Sequence, residues 1–527
     1  MSNLVEIEAM WSFRPAENVA PADPAAVAVP TEWLGFGQAP FGTLGSAIVK
    51  HPINTVWPVD TGLWIKRDVV VSGLAPLLLS GRVEQAALVY FDGVYIGGVN
   101  PANESRTTLP AWYLVVPKSM ATEGTHELAI LCLDEETTNP GDTSYIYCQA
   151  EYLPAFMPLP PRAPVRETLN WKTDVMESFD GSEQRMALRT DARQQLAYYY
   201  PANFKEAARA LNIVYGAHAE RWLVPLWSEA QLIGAVAAGL SSLAATLDPY
   251  DFRESSLVLL WETPDHWQIL GVDLIDGALT LVGLTEEFRN AWLMPVRFGR
   301  NTGTVPKSTT GYDSEFTLTF DVLDLASVET EAPEQFLGED IYYDPTLMGA
   351  SVKDNLIRRV EVHDEALGVV SWRSPWNHTR VSRPHRVIRV TPEEVRDFRK
   401  WLQRREGRYK AFWQPTFECD LRPLSSGVIA SNLIVSSDEY KHHASDRLHI
   451  AVEVKGGTWY PRTILNALLL DEERTQLNLD APLNVPASSI LRVSYLGLKR
   501  LDTDRVEIRW NGGGVAQSEV RVVELTP

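Results

Sequence analysis

Ala87-Leu-Val-Tyr-Phe-Asp-Gly-Val-Tyr-Ile-Gly97 decides the fold class of this chain. Two runs rich in Val, Tyr and Ile flank Asp92-Gly93, and an Asp-Gly pair accepts the positive φ angles that a two-residue hairpin turn demands. Upstream lie Leu63-Trp-Ile-Lys-Arg-Asp-Val-Val-Val71, which alternates at its start, and Leu77-Leu-Leu79. Downstream come Trp112-Tyr-Leu-Val-Val116, His126-Glu-Leu-Ala-Ile-Leu-Cys-Leu133 and Tyr145-Ile-Tyr-Cys-Gln-Ala-Glu-Tyr152. Strands about ten residues apart, with almost no helical periodicity, predict a β-sandwich over residues 32–153.

The whole chain has 527 residues, which at roughly 100–200 residues per domain gives three or four domains. It is 45% hydrophobic and 22% charged, the composition of a folded protein. Against 48 basic residues stand 68 acidic ones, a net charge of −20. That balance excludes a nucleic-acid grip, which needs a basic face to displace phosphate counterions. Three cysteines (Cys132, Cys148 and Cys419) form no CxxC zinc pair. Cys132 and Cys148 read either as small buried hydrophobes or as a pair across neighbouring strands. The N-terminus lacks a charged region followed by an apolar one, so no signal peptide is expected. The apolar run Leu232 to Leu247 is too short for a bilayer, so no membrane span is expected, and synthesis in a cytoplasm is. The 17 Trp and 18 Tyr supply large anchors for sandwich cores and permanent interfaces.

Proline and charge mark the divisions. Pro15, Pro21, Pro24 and Pro30 make residues 1–31 read as an extended N-terminal arm. Five prolines between Pro154 and Pro164 make 154–164 a semi-rigid linker, and Glu329, Glu331, Glu334, Glu339 and Asp340 make 329–364 an acidic linker. The sandwich between the first two breaks resembles the jelly-roll sugar-binding domain at the start of family 2 glycoside hydrolases. Leu63-Trp-Ile-Lys-Arg67, Ala87 to Gly97, and Gly124-Thr-His-Glu-Leu-Ala-Ile-Leu-Cys-Leu-Asp134 carry that resemblance. It implies a galactose-binding-like fold; the catalytic barrel of those enzymes does not follow, so their activity does not transfer.

Beyond 165 the chain repeats itself at an offset near 190 residues. Pro201-Ala-Asn-Phe-Lys-Glu-Ala-Ala-Arg-Ala-Leu211 and Thr391-Pro-Glu-Glu-Val-Arg-Asp-Phe-Arg-Lys-Trp-Leu402 both open helices, the second with Thr391 as N-cap and Pro392 at the first position. Glu220-Arg-Trp222-Leu-Val-Pro225 matches Tyr409-Lys-Ala-Phe-Trp413-Gln-Pro415, and Ser256 to Trp267 matches Leu448 to Trp459. Pro295 pairs with Pro486, and the Tyr312 stretch with the Leu501 stretch. Leu279-Thr-Leu-Val282 pairs with Leu477-Asn-Leu479 only at a longer offset. The expected fold class is therefore mainly β: a jelly-roll sandwich, then duplicated antiparallel β-domains at 165–328 and 365–527, each with a flanking helix.

Chemistry-bearing motifs are absent: no P-loop, GxSxG, HExxH or GxGxxG occurs. No catalytic residue, cofactor or metal is expected. His442-His443 is the tempting metal pair, but adjacent strand residues face opposite ways, which makes an exposed loop the reading. Arg373, Arg380, Arg383 and Arg386, with His378 and His385 among them, form a basic island in an acidic protein. It reads as an assembly contact for a carboxylate-rich neighbour or as a solvated strand face. Asp174, Asp180 and Glu183 form a carboxylate cluster in which Asp180-Gly181 reads as a hairpin turn. Trp57, Trp64, Tyr95 and Trp112 are candidates for stacking on a sugar ring, or for core packing.

A second resemblance covers 165–527. Trp171-Lys-Thr-Asp174, then Asp180-Gly-Ser-Glu-Gln-Arg185 and Arg189, resemble the opening of tail-tip and baseplate proteins of tailed bacteriophages. Ser371-Trp-Arg373 with Arg386 to Arg389, and Ser494-Tyr-Leu-Gly-Leu-Lys-Arg500 to Asp504, fit the same group. The resemblance implies a structural protein of the virion tail, a distal-tail or hub-like ring or adaptor without enzymatic activity. It implies neighbouring tail-tube and tail-tip proteins as partners. Two copies of a ring-forming domain per chain let a trimer close a pseudo-sixfold ring, with a true hexamer as the other form. The alternative, of a different class, is a receptor-recognition protein that binds host surface saccharide through the sandwich.

Overall fold

The computed structural model describes residues 4–21, 23–42, 52–57, 61–73, 75–83, 86–99, 111–133, 145–218, 220–253, 256–275, 278–324, 331–347, 353–364, 366, 368–376, 379–440, 447–512 and 514–525. The chain is mainly β, and each of its two long helices, α1 (Phe204–Ala217) and α2 (Pro392–Arg405), follows a strand. Two compact units divide it: residues 1–165 with 196–324, and residues 166–195 with 325–527. The second unit thus gathers 166–195 from within the segment expected to be the first β-domain. The physical reason is strand length. Arg162–Glu177 and Glu183–Ala202 run 16 and 20 residues, and at about 3.3 Å per residue each outreaches a single core. The chain passes between the units inside both strands.

The sandwich heads the first unit. One sheet runs in the order Gly35–Gln38, Met10–Ala16, Gly62–Val71, Gly124–Leu133, Ala86–Phe91, Val94–Val99. The other runs Thr55–Val56, Phe41–Gly42, Tyr145–Tyr152, Leu77–Val83, Ala111–Val116. Asp92 and Gly93 turn the hairpin at φ 50° and 74°, with Phe91 opposite Val94. Trp11, Trp57, Ile65, Leu79, Trp112, Ile130, Cys132 and Cys148 fill the layer between the sheets. Both cysteines are free thiols, pushed up by burial.

The N-terminal arm is corrected by the same sheet. Met10–Ala16 is an inner strand, and Trp11 is 1% exposed. Pro15 is tolerated because the flanking strand stops at Gly35 opposite Phe13, so the missing N–H removes no ladder bond. The 154–164 linker is corrected too. Phe156, Met157 and Leu159 are buried, Leu223 N donates to Ala155 O at 2.8 Å, and Trp261 Nε1 donates to Pro158 O at 2.8 Å. Phe156 joins Leu78, Val115, Leu223, Leu257 and Val296 in one apolar cluster, so sandwich and first β-domain share a core.

The pairings of the first β-domain recur in the second. Arg221–Pro225 after α1 pairs with the long strand Phe288–Asn301, as Phe412–Pro415 after α2 pairs with Ile490–Leu501. The hairpin Ser256–Thr263/His266–Ile275 has its counterpart in His449–Val454/Trp459–Leu469, and each first strand adds to the long strand. Third strands Ala278–Val282 and Arg474–Leu479 extend each hairpin. The strand before each helix pairs with the last strand, Asp313–Val322 or Ala516–Glu524.

Pro225 faces Val296 and Pro415 faces Leu496, which matches Pro295 with Tyr495 and leaves Pro486 outside the repeat. The last strands likewise match 313–322 with 516–524, not with Arg505–Trp510. Extra residues ahead of Ile490 stretch the offset, which is why the Leu279 and Leu477 strands correspond only at longer spacing.

Helix starts follow local chemistry. Asn203 caps α1 with Glu206 reaching back in a capping box, two residues later than Pro201 suggests. Thr391 caps α2 as expected, with Pro392, Glu393 and Glu394 in its first turn.

Candidate functional site

The four candidate sugar-stacking aromatics belong to packing. Trp57 and Trp112 are each 1% exposed inside the sandwich. Trp64 packs on Tyr90 at 5.3 Å between ring centroids, and Tyr90 on Tyr95 at 5.6 Å. Val27, Val29 and Trp33 pack against this group, and the Tyr90 hydroxyl donates to Pro24 O at 3.0 Å. Burial, with Tyr95 beside it, pushes the Tyr90 phenol up to about 12. Trp57, Trp64 and Trp112 are core residues that offer no face to a saccharide, which corrects that expectation for these three, while Tyr95 is half-buried at the edge of the cluster. Val27 and Val29, read as arm, pack with Trp33 over that sheet face.

The basic island is a set of ties inside the second unit. Arg380–Arg389 is a strand, and Arg380 is buried beneath Trp376, its guanidinium 4.5 Å from the ring centroid. It meets Glu177 at 2.9 Å and Glu183 at 3.2 Å, and donates to Gly181 O. Arg383 clamps Asp354 at 2.5 Å and Glu418 at 2.8 Å, and donates to Thr416 O at 3.0 Å. Hydrogen bonding to Asp354, then to Glu418, outweighs burial and raises its pKa. Arg386 holds Glu519 at 2.8 Å. Arg373 stands exposed on a short strand opposite Glu361. The carboxylate-rich neighbour of Arg380, Arg383 and Arg386 is therefore this chain itself.

Of the expected carboxylate cluster, Asp180 makes the turn, accepting from Ser182 N at 2.9 Å. Glu183 also takes a two-point grip from Arg500, at 2.8 and 2.9 Å. Burial alone would raise the Glu183 carboxyl, but the bonds and charges of Arg500 and Arg380 hold it lower. Among the described residues no group of three His, Cys, Asp or Glu is placed to hold a metal. His378 and His442-His443 lie outside the described residues.

A concave feature lies beside α2, a cavity of about 990 Å³ lined by Tyr342, Asp344, Arg389, Lys400, Trp401 and Arg404, among others. Helix α2 presents the last three, the loop after the Glu339–Asp340 strand presents Tyr342 and Asp344, and the 380–389 strand presents Arg389. Tyr342 stacks on Trp401 at 4.2 Å and 22°, and its hydroxyl accepts from Arg389 Nη2 at 3.3 Å. Arg389 also grips Asp344. Burial raises the Tyr342 phenol, and Asp344 adds to it. Behind it His385, within 3.4 Å of that hydroxyl, is pulled down to about 3 by burial and by the charges of Lys499 and Arg389. Both shifts favour the uncharged form of these two rings near neutral pH.

Asp340 anchors the segment expected to be an acidic linker. It is 3% exposed and accepts from Arg404 at 2.7 and 2.8 Å and from the buried Arg405. Burial would raise its pKa; the Arg404 and Gln335 hydrogen bonds and two guanidinium charges lower it instead. Phe336 and Ile341 pack with Trp413, Ala451 and Leu496, so this stretch is part of a core. Its sequence signal was Phe336 and Ile341-Tyr-Tyr343 set among the acids.

No protein family's sequence model matches the chain, and no curated protein matches it. Among solved structures it is similar to the Faecalibacterium prausnitzii Beta-glucuronidase at 12% identity, over 37% of this chain and 44% of that one. The alignment thus spans less than half of that enzyme, and its TM-score is 0.21.

Proposed function

We propose that the protein is a structural component of a tailed-bacteriophage tail tip or baseplate, closing a ring or adaptor at the distal end of the tail tube. The internal repeat carries this reading. Two β-domains with the same strand and helix pairings give one chain two ring-building units, and three chains then complete six positions. The sequence resemblance of residues 165–527 supplies the virion assignment.

Exposed apolar side chains support assembly. Val362 and Trp372 face each other across the ribbon Glu361–His363/Ser371–Arg373 and are 62% and 75% exposed. An apolar pair held out in water on a two-stranded ribbon marks an interaction surface. Burial of Trp57, Trp64 and Trp112 leaves the saccharide-binding alternative with Tyr95 alone of its four aromatics.

The test is the mass of the full chain by mass photometry across concentration, with electron micrographs of the same sample. Trimers at three times 59.0 kDa, with rings of sixfold appearance, are expected. A chain monomeric at every concentration, with no ring in the micrographs, overturns the reading.

A further inference from the structure

We propose that Lys499 and Gln414 join in an intramolecular isopeptide bond, an amide formed between the two side chains with loss of ammonia. This inference does not depend on the function proposed above. Ile490–Leu501 lies between Phe412–Pro415 and Ala516–Glu524, with Lys499 opposite Phe412 on one side and Glu524 on the other. Gln414 is opposite Gly497, two residues from Lys499. Residues directly opposite share a face and steps of two return to it, so Lys499, Gln414 and Glu524 project together.

Gly497 opens the space where they meet. A β-carbon there would come 2.9 Å from Glu524 Oε1 and 3.6 Å from Lys499 Cε. Lys499 Nζ donates to Gln414 Oε1 at 3.2 Å, which holds the amine against the carboxamide. Gln414 is 2% exposed and Lys499 7%, so water competes for neither. Burial, opposed by Glu524 and Asp354 and aided by Arg383 and Arg447, brings the Lys499 amine down to about 8. An ordinary lysine, near 10.4, holds its proton far more firmly.

The step balances without a co-reactant. The free amine of Lys499 attacks Cδ of Gln414, and the new N–C bond forms as the carbonyl opens to a tetrahedral centre. A proton passes from the attacking nitrogen to the amide nitrogen, whose bond to Cδ breaks as ammonia leaves, and the Glu524 charge on the same strand face favours the cationic nitrogen of the tetrahedral centre. Nothing is oxidised or reduced. Fixing nucleophile and carbonyl in contact replaces a bimolecular encounter, worth effective molarities of about 10⁵ M or more.

Intact-mass spectrometry of the purified full chain tests this. A mass one ammonia below that of the sequence is expected, with a digest yielding one peptide that contains both Lys499 and Gln414. Lys499→Met should restore the full mass. Gln414→Glu leaves no ammonia to lose at that position, and Glu524→Gln should slow the loss at least tenfold; melting curves show whether each variant folds. Full mass after long incubation of the wild-type chain at pH 9 overturns the proposal. So does an ammonia loss that persists in folded Lys499→Met or Gln414→Glu, which would locate it elsewhere.

Discussion

Asp340 and His385 sit in one unit and respond oppositely to charge. Asp340 is the counter-ion of Arg405, itself 1% exposed. Removing one member of a buried pair strands the other, so Asp340→Asn should cost about 3–5 kcal/mol in a chemical denaturation curve. The exposed pair Arg386–Glu519 is the comparison, and Arg386→Gln should cost under about 1 kcal/mol. His385 is buried neutral, with a pKa of about 3 against an unfolded value near 6.5. Between those values the unfolded chain binds the proton and the folded one does not. Stability should therefore fall as pH drops from about 6.5 towards 3, by at most roughly 1.4 kcal/mol per pH unit from this residue. His385→Gln should flatten denaturation midpoints between pH 6 and 4.5, where most carboxylates are still ionised. An unchanged slope in that variant would place the acid sensitivity elsewhere.

At the scale of elements, legibility followed sequence distance. Asp92-Gly93 and Thr391-Pro392 act on their own neighbours, and both turn and helix stand where those residues put them. Arg380 and Arg500 have their partner Glu183 197 and 317 residues away, which no spacing rule reaches. Trp57 and Trp112 carried no mark of burial, because alternation tells which residues share a face and not what covers it. Pro15 was read as a breaker, yet it lies in a strand just past the end of the neighbour that would have needed its N–H.

Periodicity was equally silent on the ribbon Glu361–His363/Ser371–Arg373, whose strands hold three residues each. Its Val362–Trp372 pair gives a prediction of its own. Trp372→Ser should leave the melting temperature within a degree or two, since the side chain is 75% exposed. It should weaken self-association about tenfold or more, as loss of an aromatic anchor does. Sedimentation over a dilution series reads that shift, and unchanged association would remove this ribbon from the interface.

For the whole molecule, the division into non-contiguous units decides which fragments can fold. Within the second unit, residues 166–195 supply counter-charges to Arg380, Arg399 and Arg500. Glu167, 1% exposed, accepts from Arg399 at 2.6 Å and from Trp510 Nε1 at 3.0 Å, while Glu183 grips Arg500. Asp504 in turn receives Thr173 N at 2.8 Å and Thr173 Oγ1 at 2.9 Å, and its own carbonyl accepts from Trp171 N. A fragment of residues 325–527 would leave Arg380, Arg399 and Arg500 without these partners in places built to exclude water. Each stranded charge costs several kcal/mol, against a total stability of about 5–15 kcal/mol for a domain. That fragment alone should show no cooperative melt by circular dichroism. The same fragment preceded by residues 166–195 and a flexible Gly/Ser linker should melt in one step. If residues 325–527 alone melt as sharply and as high as the linked form, the 166–195 hairpin is an accessory to that unit, and its ion pairs contribute nothing that folding needs.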